Sequence, residues 1–220
     1  TEFPTMQKEF EEENQVYLAT GVVLDTYQPF SSKELTGLKD LEGMKVAGAG
    51  MNLRYLEGVK DAAGVRGGLT DFYNMVQTGL TDAALLWPEA AKTFKIAEVA
   101  PYMLKADLGA VNSKTITVNK DYWDNLPDEV KGALQEVAVL YRDHVAGIAM
   151  DRAGESLEAY KASGGTVVEM SEEDRKAWAA AMPNIAAEWA KSLDDAGEPG
   201  SEMLKAYMDK LKAAGFEPVR

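Results

Sequence analysis

The stretch Thr117-Val118-Asn119-Lys120-Asp121-Tyr122-Trp123-Asp124-Asn125-Leu126-Pro127-Asp128-Glu129-Val130 runs from a β-favouring segment straight into a long helical pattern, and its reading decides the fold. Apolar or small residues recur at Val130, Ala133, Leu134, Val137, Leu140, Tyr141, Val145 and Ile148, the spacing of one buried helical stripe. Pro127 suits the first helical position, with Asp128 and Glu129 beside the positive helix end. No proline follows before Gly164-Gly165, so a helix from Pro127 to about Ser163 would measure roughly 55 Å. A small domain spans only about 30 Å. Either the helix breaks near Gly147 or Gly154, or it runs across two lobes and couples them.

The 220 residues suffice for one large or two small domains, and 46 % hydrophobic with 27 % charged residues is a globular balance. Apolar runs are short throughout, so neither a transmembrane helix nor direct membrane insertion is expected. No secretory apolar region opens the chain, which reads as a cytoplasmic protein or as a mature or truncated one. The lack of cysteine removes disulfides, thiolate catalysis and cysteine-type zinc sites together. A formal net charge of −13 repels phosphate backbones and anionic lipid, so neither nucleic acid nor a membrane surface is an expected partner. The acidity serves solubility, or it steers a basic partner.

Upstream of the long helix, strand and helix signals alternate from Glu42 to Asn119, as in an α/β lobe built from βα crossovers. Lys45-Val46-Ala47 reads as a short buried strand ending in Gly48-Ala49-Gly50, with Asn52 capping a short helix through Val59. Thr70 caps a helix over 71–78 that stops at Gly79. Asp82 to Trp87 is a buried strand, and Pro88 opens a helix carrying Ala91, Phe94 and Val99. Ala110 to Asn119 reads as a long strand, and Gln15 to Phe30 as a second long, lobe-crossing segment. Downstream, Gly165 to Met170 is a strand and Ser171 to Asp174 a capping-box variant. The helix that follows carries Trp178, Met182, Ile185 and Trp189 on one side and is kinked or split by Pro183. A last amphipathic helix with Met203, Leu204, Tyr207, Met208 and Leu211 ends at Gly215.

Chemical signals are few. His144 is the single histidine, and without a second histidine, a cysteine or a spaced acidic cluster no metal ligand set assembles. No Gly-x-Ser-x-Gly turn supplies a nucleophile for it, so His144 reads as structural and no catalytic residue is assigned. Gly48-Ala49-Gly50 lacks the third glycine of a dinucleotide fingerprint, because position 53 is leucine, and lacks the phosphate-loop lysine. It reads as a tight turn with Asn52 and backbone N–H groups facing whatever binds there. Arg54 either clamps a carboxylate in a two-point contact or is an exposed helix arginine. Trp87, at the carboxyl end of an internal strand, is placed where open α/β sheets bind ligands, as a pocket wall or as core. Asn112 is polar within a β-favouring run, which fits a hinge hydrogen bond or a ligand contact. The candidate ligand contacts are Asn52, Arg54, Trp87 and Asn112, and no metal or cofactor is expected.

Four blocks carry a family resemblance. They are Leu38-Lys39-Asp40-Leu41-Glu42-Gly43-Met44-Lys45-Val46, Val76-Gln77-Thr78-Gly79-Leu80-Thr81-Asp82-Ala83, Phe94-Lys95-Ile96-Ala97-Glu98-Val99-Ala100-Pro101-Tyr102 and Val118 to Pro127. Their order resembles that of DctP-type solute-binding proteins of tripartite ATP-independent periplasmic (TRAP) transporters. The resemblance implies an α/β, periplasmic-binding-protein-like fold with two lobes, crossing strands and a long spanning helix. It also implies that the first lobe is largely missing from this chain. Residues 1–40 would be a remnant of that lobe plus a crossing strand, 41–116 the α/β ligand-binding lobe, and 117–220 the return strand, the spanning helix and the C-terminal helices.

By the same resemblance the protein is no enzyme. The resemblance implies a periplasmic subunit, its signal peptide expected to be absent from this chain, that would capture a small organic acid in an interlobe cleft by hinge closure and deliver it to membrane permease subunits. Where the family commonly has an arginine that pairs with a carboxylate, this chain has Ala47, and the wall at Leu85-Leu86-Trp87 is apolar. The expected ligand is therefore a somewhat apolar or aromatic organic acid, with Arg54 or Arg66 replacing the lost charge or with no carboxylate of the ligand at that point. The alternatives are a small α/β enzyme using carboxylates and a truncated, non-binding fragment.

Overall fold

The computed structural model describes residues 3–21, 25–109 and 113–216. In chain order these form α1 (Pro4–Glu12), β1 (Gln15–Gly21), β2 (Gln28–Ser31), β3 (Lys45–Gly48), β4 (Ala63–Arg66), α2 (Phe72–Gln77), β5 (Ala83–Leu86), α3 (Pro88–Thr93), β6 (Tyr102–Lys105), β7 (Lys114–Asn119), α4 (Lys120–Asp124), α5 (Asp128–Ala162), β8 (Thr166–Glu169), α6 (Glu172–Ala181), α7 (Ile185–Asp195) and α8 (Gly200–Ala213). Short 3-10 helices cover Leu38–Leu41, Gly50–Gly58 and Ile96–Glu98. The described residues group into two units, one of 3–21, 113–147 and 184–216, the other of 25–109 and 148–183.

The larger unit is built on a six-stranded sheet of order β4-β3-β5-β2-β6-β8. β3 runs parallel to β4 and β5, and β6 runs parallel to β8. β2 is antiparallel to both its neighbours, β5 and β6. It is the one strand of this sheet that runs against the rest, and it sits in the middle. Side chains alternate between the two faces, as the two-residue strand period requires. Phe30, Ala47, Ala84, Leu86 and Met103 pack on one side with Phe72, Ile96 and Tyr160. Val46, Ala83, Leu85 and Leu104 pack on the other with Leu41, Leu56 and Trp178. Both faces are covered, which is why β5 reads as an unbroken apolar run, Ala83-Ala84-Leu85-Leu86, with all four residues buried.

The smaller unit holds the ribbon of β1 and β7, antiparallel from Gln15 opposite Asn119 to Gly21 opposite Lys114. The single segment expected from Gln15 to Phe30 is therefore two strands in two different sheets. Asn119 caps α4 by accepting from the Tyr122 N–H (3.1 Å), and Asn184 caps α7 through the Ala187 N–H (3.0 Å). α8 lies close on α7 at Gly200, where a Cβ would come within 2.1 Å of the Ala190 carbonyl oxygen.

Most of the expected punctuation is present. Pro183 splits its helix, and Ser171 caps α6 by accepting from the Asp174 N–H (3.0 Å). The Asp174 carboxylate accepts instead from the Leu38 N–H (3.1 Å), so the box is only half formed. The split puts Trp178 and Trp189 on different helices: Trp178 is buried, while Trp189 is 45 % exposed. The second predicted helix of the α/β region is capped at Asp71 rather than Thr70, and the third ends at Thr93. Lys95 then takes a left-handed backbone (φ 54°) and begins a separate 3-10 turn.

α5 is unbroken over 35 residues, about 50 Å at 1.5 Å per residue, and contributes 128–147 to one unit and 148–162 to the other. Pro127 stands one position earlier than expected, its carbonyl accepting from the Lys131 N–H (3.0 Å). The expected apolar stripe is not the buried one. Val137, Leu140 and Tyr141 are more than half exposed, whereas Ala138, Ser156 and Tyr160 are buried. The apolar residues spread over too wide an arc for one contact face, and small or polar ones took the packed side. Gly147 and Gly154 meet nothing within 4 Å at their missing Cβ, so they neither break the helix nor allow a close approach. Replacing Gly147 by alanine should therefore stabilise the protein by about 0.5–1 kcal/mol, read as a higher urea midpoint. A lower midpoint would mean that the glycine serves as a hinge.

Candidate functional site

With β2 reversed, its N-terminal end lies at the same edge of the sheet as the carboxyl ends of the other five strands. Across that edge stand Arg66 at the end of β4, Gly48-Ala49-Gly50 from the end of β3, Trp87 after β5, Tyr27 before β2, Lys105 to Asp107 from the end of β6 and Glu169 at the end of β8. Carboxyl ends of open α/β sheets are where ligands bind, because connections diverge there and leave backbone groups and loop side chains facing one crevice.

The centre of this edge depends on Gln28 and Pro29. Ser32 N–H bonds to the Asp82 carbonyl (3.0 Å) on the β5 side, so by strand alternation position 29 presents its backbone to β6. Proline has no N–H to give there. Pairing between β2 and β6 holds at Phe30 opposite Met103 and Ser31 opposite Tyr102. That register would put Tyr27 opposite Ala106. Instead Tyr27 N–H donates to the Gly109 carbonyl (3.0 Å) and Leu108 N–H donates to the Tyr27 carbonyl (3.2 Å), so the chain before Leu108 bulges out. The Gln28 side chain, 1 % exposed, fills the bulge: Oε1 accepts from Ala106 N–H (2.7 Å) and Asp107 N–H (2.9 Å), and Nε2 donates to Asp107 Oδ1 (2.8 Å) and Thr26 Oγ1 (2.7 Å). Asp107 is held at φ 51°, and its other carboxylate oxygen faces Arg175 (3.5 Å) and Lys105 (3.9 Å). Lys105 Nζ also donates to Glu169 (3.1 Å), whose carboxylate raises the lysine pKa.

Three aromatic side chains gather beside this bulge. Trp87 is half-buried, and its ring meets the Tyr27 ring edge-on at 5.6 Å and 72°. Tyr55, from the 3-10 helix over Gly50–Gly58, has its hydroxyl 3.7 Å from the point where a Cβ on Gly109 would lie. Its backbone carbonyl accepts from the buried Trp178 indole N–H (2.7 Å), which fixes that helix against α6. Burial raises the Tyr27 phenol pKa, and it raises that of Tyr55 to about 12, with the nearby Tyr27 adding to the effect. Both are neutral at physiological pH.

Three of the four residues expected at the site have a definite place. Trp87 caps α3 with extended backbone and stands at the edge, packed against the core on one side. Asn52 is not the helix cap; it lies within the first turn and reaches back, Oδ1 accepting from Ala49 N–H (2.8 Å) and Nδ2 donating to the Leu85 carbonyl (3.4 Å). It is buried, and both its polar ends are used in tying β3 to β5. Arg54 makes the planar two-point contact expected of it, but to Glu57, with Nε–Oε1 2.9 Å and Nη2–Oε2 3.1 Å. That contact lowers the Glu57 pKa. Asn112 lies outside the described residues. The glycine loop holds no cradle, since a Cβ on Gly48 would meet Leu53 at 2.4 Å and Asn52 Oδ1 at 2.8 Å. Ala47 is wholly buried among apolar side chains. His144 is exposed on α5.

Tyr27, Gln28 and Tyr55 were not among the expected residues. The signal for Gln28 was a polar side chain beside a proline in a β-favouring run. Tyr27 and Tyr55 carried no comparable mark, because their meeting depends on the reversal of β2. Substituting Gln28→Leu should cost about 2–4 kcal/mol in urea unfolding, because it leaves the Ala106 and Asp107 N–H groups buried without an acceptor. A loss below about 0.5 kcal/mol would show that the bulge does not need the side chain.

Residues 2–192 match the family described as bacterial extracellular solute-binding protein, family 7 (DctP), and all four sequence blocks fall within that span. The C4-dicarboxylate-binding periplasmic protein DctP of Rhodobacter capsulatus is 30 % identical over 149 residues, covering 67 % of this chain and 41 % of that protein. Two TRAP periplasmic solute-binding proteins of Desulfovibrio salexigens share the fold. One, an open complex, has TM-score 0.83 and 20 % identity, over 98 % of this chain and 66 % of that one. The other, with bound orotic acid, has TM-score 0.78 and 20 % identity, over 96 % and 67 %. The chain thus spans under half the length of the Rhodobacter protein and about two thirds of these solved chains.

Proposed function

The chain belongs to the bacterial extracellular solute-binding proteins of family 7, and we propose that it captures a small organic acid at the carboxyl edge of its six-stranded sheet. It hands the acid, chemically unchanged, to membrane permease subunits, and it works in the periplasm. The observation that carries this reading is the grouping of Trp87, Tyr27 and Tyr55 at that edge, an apolar wall with few polar groups, as small-molecule sites are built. The relatives named above bind a C4-dicarboxylate and orotic acid, both carboxylates. With a net charge of −13 the protein repels anions at long range, so a carboxylate needs local cations. Arg54, Arg66, Lys105 and Arg175 are at or beside this edge.

In this reading residues 41–116 form most of the ligand-binding lobe and receive Tyr27 from the preceding segment. Residues 1–40 bring that segment and the crossing strand β1, and 117–220 supply the return strand, α5 and the C-terminal helices. Trp87 offers ring area. Arg54 offers charge by exchanging Glu57 for the ligand, Asn52 supports the loop that carries Arg54, and Asn112 adds a polar contact. Catalysis is no part of this reading: the site's residues are hydrogen-bonding and aromatic groups, and the exposed His144 belongs to another part of the chain.

A thermal-shift screen of organic acids tests the reading, since a ligand at a hundred times its Kd stabilises the folded state by about 2.7 kcal/mol. Several carboxylates should raise the midpoint, and Trp87→Ala should remove most of that rise at the same concentrations. No stabilisation by any acid, or turnover of one, would contradict it.

A further inference from the structure

Four tyrosines of the larger unit with largely buried or hydrogen-bonded rings divide into two kinds. Tyr73 donates its hydroxyl to Glu98 (2.9 Å) and Tyr160 donates to the Ala100 carbonyl (2.7 Å). Tyr27 and Tyr55 have no hydroxyl partner among the described residues, although Tyr27 is only 5 % exposed. Neither hydroxyl is buried without a partner, so each still reaches solvent and can exchange its water for a ligand oxygen. Gly109 bonds the Tyr27 backbone and lies beside the Tyr55 hydroxyl, and the Trp87 ring meets the Tyr27 ring edge-on.

We propose that the Tyr27 and Tyr55 hydroxyls are the specificity element of this site, selecting a ring-bearing carboxylic acid that carries a hydroxyl or carbonyl oxygen on the ring. The ring packs on the Trp87 indole, and the ring oxygen is held by the two hydroxyls. The inference rests on the reading of this sheet edge as the solute site and adds the class of solute. Its logic has three parts. Ala47 leaves the sheet face itself without charge, the Arg54 guanidinium already meets a carboxylate, and the exposed Arg66 stands out on the outermost strand β4, so no arginine fork defines the centre of the site. The groups that remain at the centre are neutral phenols, which burial keeps protonated, and each can donate or accept. A site built to hydrogen-bond an oxygen rejects the analogue that lacks it much more strongly than an apolar pocket rejects a change in shape, because its own polar groups are left unpaired.

Isothermal titration of the 220-residue chain with 4-hydroxybenzoate, benzoate and malate tests this, on the wild type and on Tyr27→Phe, Tyr55→Phe and the double variant. The wild type should prefer 4-hydroxybenzoate to benzoate by about tenfold or more, with malate weakest. The double variant should lose that preference, and an unchanged near-ultraviolet circular dichroism spectrum reports that the site is still folded. If the double variant is unstable, Tyr55→Phe, on the more exposed ring, should reduce the preference by at least about threefold on its own. Binding of malate in preference to both ring acids, or an unchanged preference in the phenylalanine variants, overturns the inference and leaves the carboxylate reading standing. Failure of all three acids to bind the wild type overturns both.

Discussion

A missing hydrogen-bond donor at the centre of a sheet organises this site. Pro29 sits in the middle strand of six and has nothing to give β6, so the ladder stops and the chain around Asp107 bulges. The bulge would be costly if Ala106 and Asp107 kept their N–H groups unpaired in the interior. The Gln28 amide takes both and returns two donors of its own, a fully satisfied buried group at the point where the backbone pattern fails. Pairing then resumes between Tyr27 and residues 108–109, and the tyrosine is delivered to the edge between Trp87 and Tyr55. A local irregularity and its repair thus set the aromatic geometry.

The surrounding packing makes that geometry stiff. Each face of the sheet has its own apolar layer, and the two layers meet the edge through different residues. Trp87 belongs to the layer with Phe30 and Tyr160, and Tyr55 to the layer with Leu41 and Trp178. The Trp178 indole, buried and bonded to the Tyr55 carbonyl, ties the 3-10 helix to α6. Tyr27 meets the Trp87 ring edge-on at this edge. The charged groups around it are mostly paired with each other, Arg54 with Glu57 and Lys105 with Glu169, and such exposed pairs are easily exchanged for a ligand because each is worth little in water.

Where function is carried by residues close in sequence, the chain is readable. β3 and β5 are apolar runs bounded by glycine and proline, Ser171 precedes an acidic first turn, Pro183 interrupts a helical pattern, and the long helix needs only the absence of a break. The Arg54–Glu57 pair also lies at helical spacing and was open to the same reading. The rest depends on contacts between distant segments. Asn52 is consumed by Leu85, a residue on a neighbouring strand, and no local pattern says which neighbour that will be. Tyr27 joins the site because β2 enters the sheet reversed, and Gln15 to Phe30 looks like one β-favouring run until the two sheets are known. Which face of α5 is packed was equally hidden, since its apolar residues cover more of the circumference than its contacts do.

The most direct test of the arrangement is to map ligand contacts by nuclear magnetic resonance, titrating the isotope-labelled chain with 4-hydroxybenzoate. Shift changes concentrated at the Trp87 indole N–H, the Tyr27 and Tyr55 rings and the Leu108 and Gly109 amides are the predicted result. Changes confined to α1, α7 and α8, with the Tyr27 and Trp87 signals unmoved, would contradict it.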